Sequence, residues 1–244
     1  MFSKKLIQLM QPETRVCVLT GAGVSAESGV PTFRGAHGLW QKFRPEELAN
    51  VDAFLNNPEL VLAWYQYRRE LIDNIEPNPG HYSLAKMEQY FADFTLVTQN
   101  VDGLHRRAGS QKVYELHGNI LHNKCFQCGK AIQRVDFVEG EELPRCECGG
   151  LIRPDVVWFG EMLPEKTLTT AASKAVEADL FLSIGTSAIV YPAAGLPLTA
   201  QRNGAYLVEI NPEQTDLSRT ANEVLSGQSG EILPKLLEAT GIAL

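Results

Sequence analysis

The chain has 244 residues, 44% of them hydrophobic and 21% charged, the balance of a globular protein with room for a large domain and a small one. Its formal net charge of −7 argues against tight nucleic-acid binding and favours, if anything, basic partners such as lysine-rich peptide segments. No apolar run approaches the ~18 residues a membrane span needs, and Met1–Gln8 carries two lysines without the apolar core or cleavage site of a secretory signal.

The first buried strand is expected at Arg15–Thr20, an apolar and β-branched run that ends in a glycine turn. That turn, Gly21-Ala22-Gly23-Val24-Ser25-Ala26, matches G-x-G-x-x-[GA]. Alone it reads as a tight turn or as a cradle whose backbone amides approach a pyrophosphate at the start of the next helix. A dinucleotide dehydrogenase would also place an acidic residue at the end of a second strand about 20 positions on. None is found, since Glu46 and Glu47 lie in a helical, polar context. Helical patterns follow at 59–74 and 81–92, then a strand at 94–98 that ends in Gln99-Asn100-Val101-Asp102.

Val113-Tyr114-Glu115-Leu116 is strand-like and delivers His117 beside Gly118. A histidine there is either structural or a cleft-facing general base. His37, His81, His105 and His122 are assigned no catalytic role. From Asn119 to Arg153 apolar material is sparse, and Cys125-x-x-Cys128 precedes Cys146-x-Cys148 by 17 residues. In the cytoplasmic setting expected here, paired cysteines point to metal rather than disulfides, with free thiols as the alternative. Four thiolates close a zinc tetrahedron and leave no open position, so the metal would be structural. Cys17, mid-strand, reads as a small buried hydrophobe.

A helix at 166–178, strands at 180–184 and 206–210, and a helix at 229–240 complete the chain. The strands end in Gly185-Thr186-Ser187 and Asn211-Pro212-Glu213. Alternation of this kind predicts an α/β fold, a Rossmann-like doubly wound parallel sheet whose ligands bind beyond the strands' carboxyl ends. Residues 1–36, 93–118 and 154–244 are assigned to that domain, with 37–92 as a helical module and 119–153 as a zinc ribbon in a smaller lobe. Within the helical module, Val61, Tyr65, Arg68 and Ile72 share one face. An arginine on such a face pairs with an internal carboxylate, reaches solvent, or awaits an anion.

Taken in order, residues 21–34, Thr98–His105, Leu116–Asn119, the four cysteines, Arg153–Glu161, Gly185–Ser187 and Asn211–Glu213 resemble the sirtuin family. The resemblance runs from about residue 10 to 240 and implies an NAD-dependent protein-lysine deacylase that consumes NAD and carries one structural zinc. It implies an NAD cleft lined by Gly21, Ala22, Gly23, Ala26, Phe33, Arg34, Gln99, Val101 and the Gly185-Thr186-Ser187 turn. Asn211, Pro212, Glu213 and Ser229 would hold the adenosine end, and Asn100 and Asp102 would surround the nicotinamide and its ribose. An acyl-lysine peptide would add as a strand beside Val157, Trp158, Phe159 and Gly160. His117 would be the general base, and the products nicotinamide and 2′-O-acyl-ADP-ribose. Tyr65-x-x-Arg68 is similar to the pair of the class III members, which remove succinyl and malonyl groups, and Ala49 stands where that class keeps a small residue.

A planar guanidinium fork and a phenol suit a distal carboxylate, so acidic acyl groups are expected to be preferred and acetyl tolerated. The competing readings are mono-ADP-ribosyl transfer from the same cleft and an NAD-sensing module without catalysis. Partners are expected to be acyl-lysine proteins, with no nucleic acid and no membrane, and the protein a cytoplasmic monomer.

Overall fold

The computed structural model describes residues 2–32 and 45–242, so Phe33, Arg34 and His37 lie outside the described residues. Its strands are β1 (Arg15–Thr20), β2 (Asp93–Thr98), β3 (Val113–Glu115), β4 (Gly118–Cys125), β5 (Ala131–Ile132), β6 (Ile152–Val156), β7 (Leu180–Ile184), β8 (Tyr206–Asn211) and β9 (Glu223–Ser226). The first helices are α1 (Lys4–Leu9), α2 (Ala22–Ala26), α3 (Pro45–Leu48), α4 (Val51–Asn56) and α5 (Pro58–Asp73). They are followed by α6 (Pro79–Tyr90), α7 (Leu104–Arg107), α8 (Glu165–Glu177), α9 (Leu196–Arg202) and α10 (Ser229–Ala239).

Six strands form one sheet in the order β3-β2-β1-β7-β8-β9, and every pairing in it is parallel. Numbered among themselves, these strands run 3-2-1-4-5-6, the doubly wound order with its switch point between the first and fourth. Here that point falls between β1 and β7. Both faces of the sheet are buried, so alternate residues enter two cores. Val16 and Val18 join Leu84 and Met87 of α6 and Leu233 and Leu236 of α10. Cys17 and Leu19 face the other way, where Ala171 and Ala175 of α8 and Ala200 of α9 allow close approach. Burial pushes the Cys17 thiol up to about 12, as befits an inert hydrophobe.

The remaining strands make a separate antiparallel sheet, β5-β4-β6. It begins one residue after His117 and returns at Val156. Gly118 has φ +78°, and a Cβ there would meet the Asp155 carbonyl oxygen at 2.1 Å, so only glycine makes this crossing. Against this sheet, α4 and α5 contribute Phe54, Val61, Trp64, Tyr65 and Ile72 to a third core with Ile120, Val156 and Trp158.

The expected strands at 15–20 and 180–184 are observed with those bounds, while β2 gains Asp93 and β8 gains Asn211. Helices α5 and α6 start before their apolar periodicity because Asn57 and Asn78 cap them and Pro58 and Pro79 occupy the first turn. The edge strand β9 escapes sequence reading because only Leu225 in it is buried. Among the described residues, no helix is long and apolar enough to cross a membrane.

Candidate active site

A cleft of about 1150 Å³ opens at the carboxyl ends of β1 and β7, where the two turns interlock. The Gly21 N–H donates to the Ile184 carbonyl at 3.0 Å and the Gly23 N–H to the Gly185 carbonyl at 2.8 Å. A Cβ on Gly23 would lie 2.7 Å from Gly185 Cα, and one on Gly185 would lie 2.5 Å from Val24 N. The Gly21 and Gly23 amides are thus committed within the fold. Their glycines serve the close approach of two backbones, not a row of free amides. Thr186 then ties three strand ends together. Gln99 Nε2 donates to its Oγ1 at 2.9 Å, and Asn211 Nδ2 donates to its carbonyl at 3.0 Å.

His117 sits on the cleft wall, with Nδ1 2.9 Å from the Gln99 carbonyl. A carbonyl only accepts, so Nδ1 carries the hydrogen and Nε2 keeps its lone pair. Burial lowers the His117 pKa below the usual histidine value, and the Gln99 hydrogen bond opposes that shift without cancelling it. The ring is therefore neutral and basic at neutral pH.

Beneath the floor lies a chain of buried polar groups. Asn78, the α6 cap, donates its N–H to His81 Nδ1 at 3.2 Å, which leaves the hydrogen on His81 Nε2 for Ser25 Oγ at 3.3 Å. Ser25 also accepts from Asn100 Nδ2 at 3.2 Å and donates to Asp102 Oδ2 at 2.7 Å. Asn100 is further held to the Gly21 carbonyl at 3.0 Å. Next to His81, His105 Nε2 meets Thr20 Oγ1 at 2.9 Å, with 4.9 Å between the two imidazole centroids. Burial raises the Asp102 carboxyl, despite hydrogen bonds from the Leu104 amide and Ser25 and the nearby Arg68 charge.

At the other end of the cleft, α5 presents Tyr65 and Arg68. Both are buried, and the Arg68 guanidinium lies 4.8 Å from the Trp64 ring centroid and 5.8 Å from that of Tyr65. The Trp158 indole N–H donates to Tyr65 Oη at 2.9 Å. Ala49 lies on the same wall, its carbonyl accepting the Phe159 N–H at 2.9 Å. Arg153, stacked 3.1 Å from the Trp158 ring centroid, reaches Glu161 at 2.6 and 3.0 Å.

The four cysteines converge, all sulfurs lying within 4.8 Å of one another. Cys125 Sγ and Cys148 Sγ are 3.5 Å apart, and Cys128 Sγ and Cys146 Sγ are 3.9 Å apart. A zinc tetrahedron with bonds of ~2.3 Å has edges of about 3.8 Å, so the donor set fits zinc in type, number and spacing. The Gln127 and Cys128 amides both point at Cys125 Sγ, at 3.4 Å, the kind of donor a thiolate needs.

Of the residues singled out from sequence, Gly21, Ala22, Gly23, Ala26, Gln99, Asn100, Val101 and His117 line the one cleft. So do Gly185, Thr186, Ser187, Asn211, Pro212 and Glu213, and, at the acyl end, Val157, Trp158, Phe159 and Gly160. Asp102 and Ser229 stand behind it. Asp102 is reached through Ser25, and Ser229 donates its hydroxyl to Glu27 Oε1 at 3.1 Å. Sequence reading missed Glu27, Trp64 and the stretch Gln214–Asp216 on the wall, and Arg69 behind it. Arg69, 2% exposed, donates to the carbonyls of Ile120, Val135 and His122 and to Asn123 Oδ1. No spacing marks it, because its partners lie more than 50 positions away.

The pattern of the Sir2 family matches residues 21–192. The NAD-dependent protein deacylase of Aquifex aeolicus (strain VF5) is 54% identical over 208 residues, 85% of this chain and 87% of that one. Its namesake from Pyrococcus furiosus is 49% identical over 237 residues, 95% of each chain. A mutant Sir2 homologue in complex with ADP-ribose, 43% identical, superposes over the whole of both chains with a TM-score of 0.93. A Sir2 homologue in complex with NAD, 44% identical, superposes with a TM-score of 0.90 over 99% of this chain and 94% of that one. With the pattern, the relatives and the doubly wound sheet in agreement, this chain belongs to the Sir2 family.

Proposed function

We propose that the protein is an NAD-dependent protein-lysine deacylase that prefers succinyl and malonyl groups and tolerates acetyl. The observation that carries the reaction type is His117, whose Nδ1–H is held by the Gln99 carbonyl so that Nε2 is a free base in the shared cleft. NAD, when bound, supplies a glycosidic bond whose cleavage releases nicotinamide and leaves ADP-ribose to accept the acyl group. The fit of the cleft to NAD is supported by its place at the switch point of the doubly wound sheet, beyond the carboxyl ends of β1 and β7, where the glycine turns bring two backbones together. Ala22, Ala26, Gln99, Thr186 and Ser187 would line its path, with Asn211, Pro212 and Glu213 toward the adenosine.

His117 Nε2 takes the proton of a ribose hydroxyl, a positioned-base effect worth roughly 10²–10⁴ in rate. Asn100, fixed by Gly21 and Ser25, presents a side-chain amide to the cleft. Asp102 acts through Ser25, holding the hydroxyl that orients Asn100. The acyl preference is supported by two donors at the cleft's other end. The Arg68 fork stays charged even though burial lowers its pKa, and burial raises that of Tyr65, keeping the phenol protonated. The four cysteines, placed as a zinc donor set rather than in disulfides, support a cytoplasmic setting, and the net charge of −7 supports protein rather than nucleic-acid substrates. We read the protein as a monomer.

The test is product analysis with NAD and one peptide carrying succinyl-, malonyl- or acetyl-lysine. One nicotinamide and one O-acyl-ADP-ribose per acyl group removed is expected, with His117→Gln slower by roughly 10²–10⁴ at unchanged Tm. ADP-ribose bound to protein in place of O-acyl-ADP-ribose would mean ADP-ribosyl transfer. Arg68→Met is expected to lower activity on the acidic acyl groups about 10- to 100-fold relative to acetyl. An equal loss on all three would make Arg68 structural.

A further inference from the structure

A phenol has one hydrogen to give and two lone pairs to receive, whereas a carboxylate only receives. Which way the Tyr65 hydroxyl points therefore decides whether it greets a carboxylate with a hydrogen or with a lone pair. Its neighbour settles part of that choice. Trp158 Nε1 carries a donor with no acceptor capacity, and it lies 2.9 Å from Tyr65 Oη with both residues buried.

The indole is itself clamped. Its ring has the Arg153 guanidinium stacked over it, 3.1 Å from the centroid, and packs against Phe54, whose centroid is 5.1 Å away. Its backbone N–H donates to Glu161 Oε2 at 2.8 Å, and the same carboxylate holds Arg153. Ring, main chain and stacking partner are thereby tied into one unit on the segment after β6 that walls the cleft. Such a donor has little freedom to turn away from Tyr65.

We propose that Trp158 is a positioning residue for acyl selectivity, its indole N–H occupying a lone pair of Tyr65 Oη so that the phenolic hydrogen is left for the distal carboxylate of an acidic acyl-lysine. The proposal rests on the reading of Tyr65 and Arg68 as the acyl-recognising pair. Burial raises the Tyr65 pKa, which keeps that hydrogen in place at neutral pH. Donation into the phenol oxygen also polarises its O–H, so the two hydrogen bonds reinforce each other. An acetyl group offers no second acceptor, and the relay has nothing to hold.

The experiment compares the ratio of kcat/KM for succinyl- and acetyl-lysine versions of one peptide across a double-mutant cycle of Trp158→Phe and Tyr65→Phe. Trp158→Phe is expected to lower the succinyl-to-acetyl ratio about three- to tenfold, the range of one neutral hydrogen bond. In the Tyr65→Phe background, the same change is expected to leave the ratio where Tyr65→Phe alone put it. A purely structural tryptophan would lower both activities together. An equal loss on both substrates, or an effect on the ratio that persists without the Tyr65 hydroxyl, overturns the proposal.

Replacing the Trp158 indole by its benzothiophene analogue keeps the bicyclic shape and removes only the N–H. It must reproduce the shift in ratio if packing is not the cause. Arg68→Met separates the two levels of the argument. A ratio lowered by Arg68→Met but not by Trp158→Phe overturns the role of Trp158 alone. A ratio indifferent to Arg68→Met sinks the acidic-acyl reading and the proposal with it.

Discussion

The two ends of the cleft are built by different means. At the nucleotide end, β1, β2, β7 and β8 stop in register, and main-chain hydrogen bonds and glycine contacts fix the turns. At the acyl end, α5 is fastened to the small sheet by side chains: Arg69 to Ile120, His122, Val135 and Asn123, Arg134 to Asp73, and Trp158 to Tyr65. A backbone-built site is rigid wherever the sheet is intact. A side-chain-built site depends on each long-range pair, and here also on the cysteine cluster at the far end of β4.

The largest effect should therefore come from the metal. Structural zinc contributes ~10 kcal/mol or more of apparent binding energy to the module that holds it. Chelation, or Cys125→Ser, is expected to release one zinc per chain and open 119–153 to protease. The parallel sheet should keep its protection from hydrogen exchange. Protection lost equally from β1, β7 and β8 would mean that the two ends are one cooperative unit.

Next in size is Arg69→Met. The side chain is almost wholly buried, and its pKa is pulled down to about 10 by burial, which still leaves it charged at neutral pH. Its loss leaves the carbonyls of Ile120, Val135 and His122 and Asn123 Oδ1 without this donor, Ile120 and Asn123 being buried, and a cost of about 2–5 kcal/mol is expected in urea unfolding. A loss under about 1 kcal/mol would show that the packing of α5 on β4 does not lean on this brace.

The same contrast explains what could be read from sequence. Gly21, Gly23 and Gly185 stand out because close backbone approach demands glycine at fixed places in a strand-turn-helix unit. The four cysteines stand out because metal geometry demands their spacing. His117 was visible as a residue but not its tautomer, which is set by the carbonyl of Gln99, 18 positions earlier. Arg68 was visible as a charged residue on an apolar face. Arg69, more deeply buried, was not, because nothing in local periodicity announces partners on another strand. The Trp158–Tyr65 bond joins residues 93 apart and only exists once α5 and the segment after β6 have packed into one core. Likewise His81 and His105, assigned no catalytic role from sequence, are buried histidines that hold Ser25 and Thr20 beneath the cleft.

Those two histidines give the nucleotide end a pH dependence of its own. Burial lowers His81 to about 4 and His105 well below the usual value, so both are neutral in the fold. In the unfolded chain they protonate near 6.5. Between about 6.5 and 4 the unfolded state binds more protons, so stability falls as pH falls, by roughly 3 kcal/mol for His81. Asp102, raised by burial, works in the opposite direction, and zinc thiolates protonate at acid pH too. The informative quantity is thus the difference between wild type and His81→Asn. The wild type is expected to lose stability more steeply from pH 7 to 4.5. Parallel slopes would mean that His81 is not held neutral.

The smallest predicted effect is the sharpest check on the contrast. At the nucleotide end, the Glu27 side chain joins α2 to α10. Its Oε1 accepts the Gly230 N–H at 2.8 Å and the Ser229 hydroxyl at 3.1 Å, capping α10 from the cleft wall. The helix supplies no side-chain cap of its own at Gln228. Losing a cap costs ~1 kcal/mol, so Glu27→Ala should lower stability by about that much and leave zinc content unchanged. If backbone contacts carry this end, the cost stays well below that of Arg69→Met. A loss as large as that of Arg69→Met would mean that side chains carry the nucleotide end too, and the distinction between the two ends would fail.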